Sequence, residues 1–221
     1  IDTSTAHRTN DGWAYGFPEL SEEFENKLKN SKRIAVPGCY ASGFIALVYP
    51  LIKNGIISPD TLLTCHSITG YSGGGKKMIE EYNNDDRCIC LDAPRQYGLT
   101  QAHKHLPEMS KITGLNSLPI FCPIVSDFYS GMEVTVPLFK SQLLKGDIEA
   151  IKEIYKNTYN TEIVYYKDGS SEEGFLTANK LSGKDSMQIE VFGNEDRILL
   201  TARYDNLGKG ASGAAVECLN I

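Results

Sequence analysis

The sequence of 221 residues has no apolar run long enough to cross a membrane. A spanning helix needs about 18 or more consecutive apolar residues, and polar residues, proline or glycine interrupt every hydrophobic stretch here. The first residues also lack the pattern of a secretory signal peptide. These absences predict a cytoplasmic protein with no membrane partner.

Basic runs are absent as well. The 28 acidic residues outnumber the 22 lysines and arginines, which gives a net charge of −6. A nucleic-acid-binding surface concentrates positive charge on one face in order to neutralise phosphates. The sequence therefore predicts no nucleic-acid partner.

The six cysteines form no Cys-x-x-Cys pair, and they are scattered along a chain long enough to bury a core without disulfides. Reduced thiols and no structural zinc are expected. His103 and His105 are two residues apart, and on a helix they would point in nearly opposite directions. We therefore expect no metal between them, although either imidazole could act as a general base.

One stretch combines a short strand, a sharp turn and a helix, with Cys39 at the turn. Residues 34–36 are apolar, and Pro37 and Gly38 end the strand. Unpaired N–H groups at a helix start favour a thiolate, so Cys39 is a candidate nucleophile. The alternative is a small buried core residue. Pro50 predicts that the helix kinks or ends early, and its apolar face consists of Phe44, Leu47, Val48, Leu51 and Ile52.

Two other segments could hold an anion or a cofactor. Arg8 lies among Ser4, Thr5 and Thr9, where its guanidinium could bind a phosphate or carboxylate. Residues 70–75 are rich in glycine, so their backbone could approach a ligand closely. The spacing is not that of a P-loop, and a plain flexible turn is the alternative.

Strand patterns dominate from residue 118, with one interrupting helix that begins after Asp147 as its N-cap. This arrangement predicts an α+β domain with a mixed or antiparallel sheet. The predicted strands are 61–69, 118–125, 132–138, 162–166, 187–192 and 198–204.

Gly208, Gly210 and Gly213 match the G-x-G-x-x-G pattern between a strand and a helix near the end of the sequence. A dinucleotide fingerprint has to open a βαβ unit of about 30 residues, and only eight residues follow Gly213. We therefore expect these glycines to allow close packing or close approach at the edge of a site.

Six segments together resemble N-acetyl-gamma-glutamyl-phosphate reductases in their shorter variant. Each is short, but their order and spacing are specific, and they cover nearly the whole chain. The segments are 4–8, 13–20, 36–42, 72–76, 103–108 and 206–213.

The resemblance implies the NADPH-dependent reduction of N-acetyl-L-glutamyl 5-phosphate to the semialdehyde, through a cysteine thioester, in arginine biosynthesis. It also implies an α/β and α+β fold like that of glyceraldehyde-phosphate dehydrogenase. In that fold a Rossmann domain accompanies a catalytic and dimerisation domain with a mixed sheet, and the enzymes form homodimers or homotetramers.

The same resemblance assigns roles to residues. Cys39 matches the nucleophile, His105 is the preferred catalytic histidine, and His103 is the second choice or a substrate ligand. Arg8, Tyr97 and Ser4 are expected to bind the small-molecule acyl phosphate, and no metal is implied. The positions expected near the cofactor are Gly38, Ser72, Gly73, Gly74, Asn206 and Gly210.

The resemblance begins inside the family's pattern, and the sequence opens with Ile1 rather than methionine. We therefore expect a fragment in which residues 1–38 are the remnant of the Rossmann domain, with the adenine and pyrophosphate site largely missing. Residues 39–205 would form the α+β domain, and residues 206–221 a final helix that packs back on the remnant.

Three alternatives remain open at this stage. An aspartate-semialdehyde dehydrogenase would use a similar mechanism, but the aromatic segment 13–20 and the segment 103–108 favour the N-acetyl-gamma-glutamyl-phosphate reductase interpretation. A hydrolase using Cys39 and a histidine would turn over without nicotinamide. A non-catalytic oligomerisation module would bind no cofactor.

Overall fold

The chain folds around a seven-stranded mixed sheet, beside which lies a separate two-stranded sheet. A computed structural model describes every residue from 1 to 221. The strands are β1 Ala14–Tyr15, β2 Ile34–Ala35, β3 Thr64–Gly70, β4 Arg95–Gln96, β5 Ile120–Ser126, β6 Met132–Phe139, β7 Val164–Tyr166, β8 Met187–Gly193 and β9 Arg197–Tyr204. The helices are α1 Glu22–Lys29, α2 Cys39–Lys53, α3 Gly75–Tyr82, α4 Leu106–Thr113, α5 Ile148–Thr158 and α6 Gly213–Asn220.

The large sheet has the strand order β4-β5-β3-β6-β9-β8-β7. β3 is parallel to β5 and β7 to β8, whereas the other pairs are antiparallel. In β6, Met132, Val134, Val136 and Leu138 are fully buried, since alternate residues point to the core face. The predicted mixed sheet and its five strands after residue 118 are confirmed.

Helix α2 lies in the middle of the core, against β6 and β9 on one side and α4 and α5 on the others. Nearly all of its residues from Tyr40 to Leu51 are buried, including Phe44 and Leu47 with no exposed surface. Cys39 is the first residue of this helix. The core packing therefore fixes the position at which the candidate nucleophile stands.

Pro50 lies inside α2 without ending it, so the expectation of an early end is wrong. Proline has no N–H, and the carbonyl of Ala46 loses its usual partner four residues on. The hydroxyl of Tyr159 donates to Ala46 O at 2.6 Å, and that of Tyr155 donates to Leu47 O at 2.5 Å. Both tyrosines are fully buried. The Tyr159 hydroxyl replaces the lost backbone donor, the Tyr155 hydroxyl adds a bond to the next carbonyl, and the helix continues to Lys53.

Tyr159→Phe is expected to lower the free energy of unfolding by about 1–3 kcal/mol, because it leaves the buried Ala46 carbonyl unsatisfied. In a Pro50→Ala background the cost should be smaller, since alanine restores an N–H at position 50. Urea denaturation of the four proteins in this cycle measures the difference. Exposed Tyr129→Phe is the control. An equal cost in both backgrounds would contradict the assignment.

Two helices were not expected from the sequence. Helix α3 follows the glycine-rich segment, and α4 begins just after His105 and carries Pro107 in its first turn. Proline fits that position because the first N–H groups of a helix have no intrahelical partner. Helix α5, by contrast, begins as predicted, with Asp147 Oδ1 accepting from Ala150 N at 2.9 Å.

Both ends of the chain meet on one side of the fold. β1 and β2 pair in parallel and are connected by α1. From α6, Cys218 Sγ donates to Gly16 O at 3.5 Å, and buried Lys209 pairs with Glu19 at 2.6 Å and also with Glu217. The longest helix, α2, has 15 residues, and none of the helices has the length and apolar character needed to span a membrane.

Candidate active site

A cavity of 540 Å³ opens at the start of α2, and its size is typical of small-molecule sites. The structure brings the predicted site residues together here, with the exception of Ser4. Ser4 Oγ donates to Asp2 Oδ1 at 2.5 Å on the exposed surface, and Thr3 lines the cavity instead. The predicted residues in the lining are Arg8, Gly38, Cys39, Ser72, Gly73, Gly74, Tyr97, His103, His105, Asn206 and Gly210.

The turn that carries Cys39 is closely packed. A side chain at Gly38 would overlap Arg8 Nη1 and His105 Nε2, so only glycine fits between these two groups. A Cβ at Gly210 would lie 3.1 Å from Cys39 Cβ. The C-terminal glycines thus serve close packing at the edge of the site, as expected, and the hydroxyl of Tyr204 donates to Cys39 O at 2.6 Å.

The acidity of Cys39 differs from the expectation based on its place at a helix start. Burial raises the pKa of the thiol to about 11, and the nearby Glu108 adds to this. The Tyr40 backbone N–H, Arg8 and Lys104 act in the opposite direction but do not compensate. Desolvation penalises the thiolate more than the helix terminus stabilises it. The thiol is therefore protonated at neutral pH and needs a base.

Alkylation of Cys39 by iodoacetamide is expected to accelerate about tenfold per pH unit between about pH 7 and pH 10. Only the thiolate reacts, and its fraction grows in this way below the pKa. Peptide mass spectrometry measures the rate. Cys88, whose pKa is lowered, should level off at lower pH in the same samples. A rate for Cys39 that is already constant above pH 7 would contradict the high pKa.

The two histidines lie in the turn before α4 rather than on a helix, which corrects the premise that they point apart. Their ring centroids are 4.8 Å apart, and His103 Nδ1 accepts from the His105 backbone N–H at 3.3 Å. Burial, followed by His103, Arg8 and Lys104, lowers the pKa of His105 to about 2. His105 is therefore neutral, with a ring nitrogen free of a proton, and burial weakens it as a base.

The buried carboxylate of Glu108 holds the site together. Oε1 accepts from Gly38 N and from Tyr15 OH, both at 2.8 Å, and Oε2 pairs with Arg8 Nη1 at 3.2 Å. Arg8 also donates from Nε to Val36 O and from Nη2 to Thr3 O, each at 2.8 Å. These bonds connect α4 to the residues on which the Cys39 turn rests.

The opposite wall of the cavity consists largely of backbone. Residues 73–75 are exposed glycines, and Asn206 holds this wall in place by donating to Ser72 Oγ at 3.0 Å and accepting from Gly131 N at 2.8 Å. A wall without side chains accommodates a planar ring close to the backbone. The predicted cofactor residues therefore fit the nicotinamide end of a cofactor.

Sequence reasoning missed three contributors to this site. Glu108 and Lys104 lie in the segment 103–108, in which only the two histidines were assigned roles; Lys104 is exposed and lines the cavity. Tyr40 contacts both histidine rings and accepts from Tyr97 OH at 2.7 Å. The sequence could have indicated Lys104, because it is a charged residue between two histidines. Nothing in the sequence indicated Tyr40.

Comparison with known proteins identifies relatives of this chain. Residues 39–206 match the family model described as semialdehyde dehydrogenase, dimerisation domain. The whole chain is 42% identical to N-acetyl-gamma-glutamyl-phosphate reductase 2 of Nostoc sp. and covers 73% of it. It is 36% identical to the Pseudomonas putida protein of the same name, of which it covers 72%.

Among solved structures, aspartate semialdehyde dehydrogenase from Francisella tularensis matches 100% of this chain at 16% identity, with a TM-score of 0.73 and 73% of that structure covered. The corresponding enzyme II from Vibrio cholerae gives a TM-score of 0.69, with 97% of this chain and 70% of the other covered. At such identities the likeness shows the fold, which is that of the semialdehyde dehydrogenases. The reductases of Nostoc sp. and Pseudomonas putida match the full length of this chain at 36–42% identity. The chain therefore belongs to the N-acetyl-gamma-glutamyl-phosphate reductase family.

Proposed function

We propose that this chain carries the catalytic part of a reductase that converts N-acetyl-L-glutamyl 5-phosphate to the 5-semialdehyde with NADPH. The observation that supports this is the meeting of Cys39, His105 and the glycine wall in one cavity. A cytoplasmic location and a place in arginine biosynthesis belong to the same proposal.

Cys39 Sγ attacks the acyl carbon of the substrate, and the neutral His105 takes the thiol proton at Nε2. The negative charge of the bound acyl phosphate stabilises the protonated imidazole, which burial alone disfavours. The C–O bond to phosphate breaks, and phosphate leaves with the bonding electrons, so that the acyl group remains on sulfur as a thioester. His105 then holds the proton that the carbonyl oxygen needs when the thioester is reduced. The C–S bond afterwards breaks as the carbonyl re-forms, the semialdehyde leaves, and the proton returns through His105 to Cys39 Sγ. His103 supports this position by accepting the His105 backbone N–H.

The chemistry that NADPH supplies when bound is one hydride for the thioester carbon. The residues that would hold its nicotinamide end are Gly38, Ser72, Gly73, Gly74, Asn206 and Gly210, which line the same cavity as Cys39.

The substrate's anionic groups would be held by Lys104 at the rim, with Tyr97 and Arg8 deeper in the cavity. Arg8 already uses Nε, Nη1 and Nη2 in bonds inside the protein. Lys104 has no such commitment and is exposed, so it is the stronger candidate for the phosphate.

We also infer the domain division: a Rossmann remnant in residues 1–38, the α+β domain in residues 39–205, and a returning C-terminal helix. The parallel pair β1 and β2, with α1 as its crossover, supports the first part. The contacts of Lys209 with Glu19 and of Cys218 with Gly16 support the last.

A second copy of this chain is the proposed partner, in a homodimer or homotetramer. The outer face of the large sheet exposes apolar side chains, among them Ile120, Phe139 and Leu199. Leu199→Glu is expected to shift the assembly toward monomer, because a charge would be buried unpaired in the interface. Sedimentation velocity measures this. Leu219→Glu on exposed α6 is the control, and an unchanged assembly would contradict this face as the interface.

The test of the proposed function does not require the cofactor for its first step. Mixing the chain with N-acetyl-L-glutamyl 5-phosphate should release one phosphate per chain and add one acyl group to Cys39, as seen by intact-protein and peptide mass spectrometry. Adding NADPH at high concentration should then reduce the thioester and free the Cys39 thiol, as seen by loss of the acyl mass. Acylation by β-aspartyl phosphate but not by N-acetyl-L-glutamyl 5-phosphate would instead indicate an aspartate-semialdehyde dehydrogenase. No acylation by either compound would overturn the proposal and leave a non-catalytic oligomerisation module.

A further inference from the structure

Two further cysteines, Cys88 and Cys90, lie together on the surface, outside the lining of the active-site cavity. Both are exposed, as is Ile89 between them at 83%. The remaining thiols other than Cys39 are less accessible, since Cys65 and Cys218 are buried and Cys122 is half-buried. This pair is therefore the most accessible dithiol of the chain.

The backbone turns sharply between the two cysteines. Ile89–Leu91 form a single 3₁₀ turn for which Cys88 is the N-cap, and the Cys90 N–H donates to Cys88 Sγ at 3.3 Å. Cys88 itself has an extended backbone (ψ 134°), so its side chain folds back over the turn and does not point away from Cys90 as it would on a helix. The turn thus places the Cys90 backbone N–H at the sulfur of Cys88, and the two thiols hydrogen-bond to each other.

The 3₁₀ turn is anchored by the burial of its last residue, Leu91. Leu91 is buried in a small apolar cluster with Tyr82 and Val125, and Leu91 N donates to Cys88 O at 2.9 Å. The cysteines consequently stand on an anchored turn rather than on a loose loop.

Hydrogen bonding within the pair distinguishes the two sulfurs, and nearby charges contribute less. The thiol and backbone N–H of Cys90 lower the pKa of Cys88, Arg95 acts in the same direction, and Asp92 opposes it. The pKa of Cys90 is raised, mainly by Cys88. Cys88 is therefore the more easily ionised sulfur and the better attacking group.

We propose that Cys88 and Cys90 are a redox-active dithiol that exchanges with low-molecular-weight disulfides and closes into a disulfide within the turn. The Cys88 thiolate attacks one sulfur of the small disulfide, whose S–S bond breaks and releases one thiolate. The Cys90 thiolate then attacks Cys88 Sγ and releases the second small thiol. Two electrons and two protons pass to the small disulfide, which is reduced to two thiols.

Oxidised glutathione is the probe, and free thiols are counted after denaturation and alkylation. The chain should lose two of its six thiols, and peptide mass spectrometry should find Cys88 and Cys90 joined to each other. Cys90→Ser should stop the reaction at a glutathione adduct on Cys88, and Cys88→Ser should slow oxidation of the segment at least tenfold. Cys122→Ser is the matched control and should leave the disulfide unchanged.

Both substitutions lie on an exposed turn, so folding should be retained, and far-ultraviolet circular dichroism verifies this. Two separate glutathione adducts in the wild-type chain, or full alkylation of both cysteines after the glutathione treatment, would overturn the proposal. Because Cys88 and Cys90 act apart from Cys39, the outcome does not depend on the reductase activity.

Discussion

Cys39→Ser is expected to lower the rate of phosphate release from N-acetyl-L-glutamyl 5-phosphate by about 10⁴-fold or more, because no covalent acyl intermediate can form on a weakly nucleophilic hydroxyl. The structure leaves no substitute, since Cys39 is the one thiol that lines the cavity. Single-turnover phosphate release and intact-protein mass measure the effect.

The matched control for this experiment is Cys122→Ser, which also removes one partly buried thiol but lies on β5, outside the cavity. It should acylate at the wild-type rate. Urea denaturation of both variants checks that the fold is retained. Acylation of Cys39→Ser within tenfold of wild type would show that another residue receives the acyl group and would contradict the mechanism.

Glu108→Ala is expected to lower the free energy of unfolding by about 3–5 kcal/mol, which is the cost of removing one partner from a buried ion pair. The substitution leaves Arg8 Nη1, the Tyr15 hydroxyl and the Gly38 N–H without their acceptor. The Gly38 turn should shift as well, so the rate of Cys39 acylation should fall in the same variant.

Urea denaturation at pH 7 measures the stability effect, and Glu25→Ala is the control. Glu25 also pairs with a cation, Lys29, but both side chains are nearly half exposed, so its loss should cost at most about 1 kcal/mol. If the two variants were equally stable, Glu108 would not hold the site as described.

The pKa of Glu108 clarifies what this ion pair does. Burial raises it, although Arg8, Gly38 and Tyr15 all act to lower it. The cost of desolvating the carboxylate thus exceeds the gain from its partners, so the pair is a poor source of stability compared with apolar packing. Its contribution is to place the backbone of Gly38, and with it Cys39.

The sequence predicted the strand, turn and helix around Cys39 because strong local signals agree there: an apolar run, Pro37 and Gly38, and apolar residues at helical spacing. The strands after residue 118 were predictable for the same reason. Helix α3 was not, because its glycine-rich start resembles a loop when only local preference is considered.

The other differences come from residues distant in sequence. The acidity of Cys39 depends on burial by segments far along the chain, including Gly210. The role of Arg8 depends on Glu108, one hundred residues away. Local sequence patterns identify the side chains that can take part in chemistry. Tertiary contacts decide how many hydrogen-bonding atoms of each side chain remain free for a ligand.

The hydroxyl contacts of Tyr155 and Tyr159 with α2 have a consequence for biosynthesis. A chain emerging from the ribosome completes the residues of α2 more than 100 residues before the hydroxyl that bonds Ala46 O exists. Until then the Ala46 carbonyl lacks the protein donor that replaces the N–H absent from Pro50. Helix α2 therefore completes its hydrogen bonding late, when α5 docks, and the turn bearing Cys39 reaches its final packing after most of the domain has been synthesised.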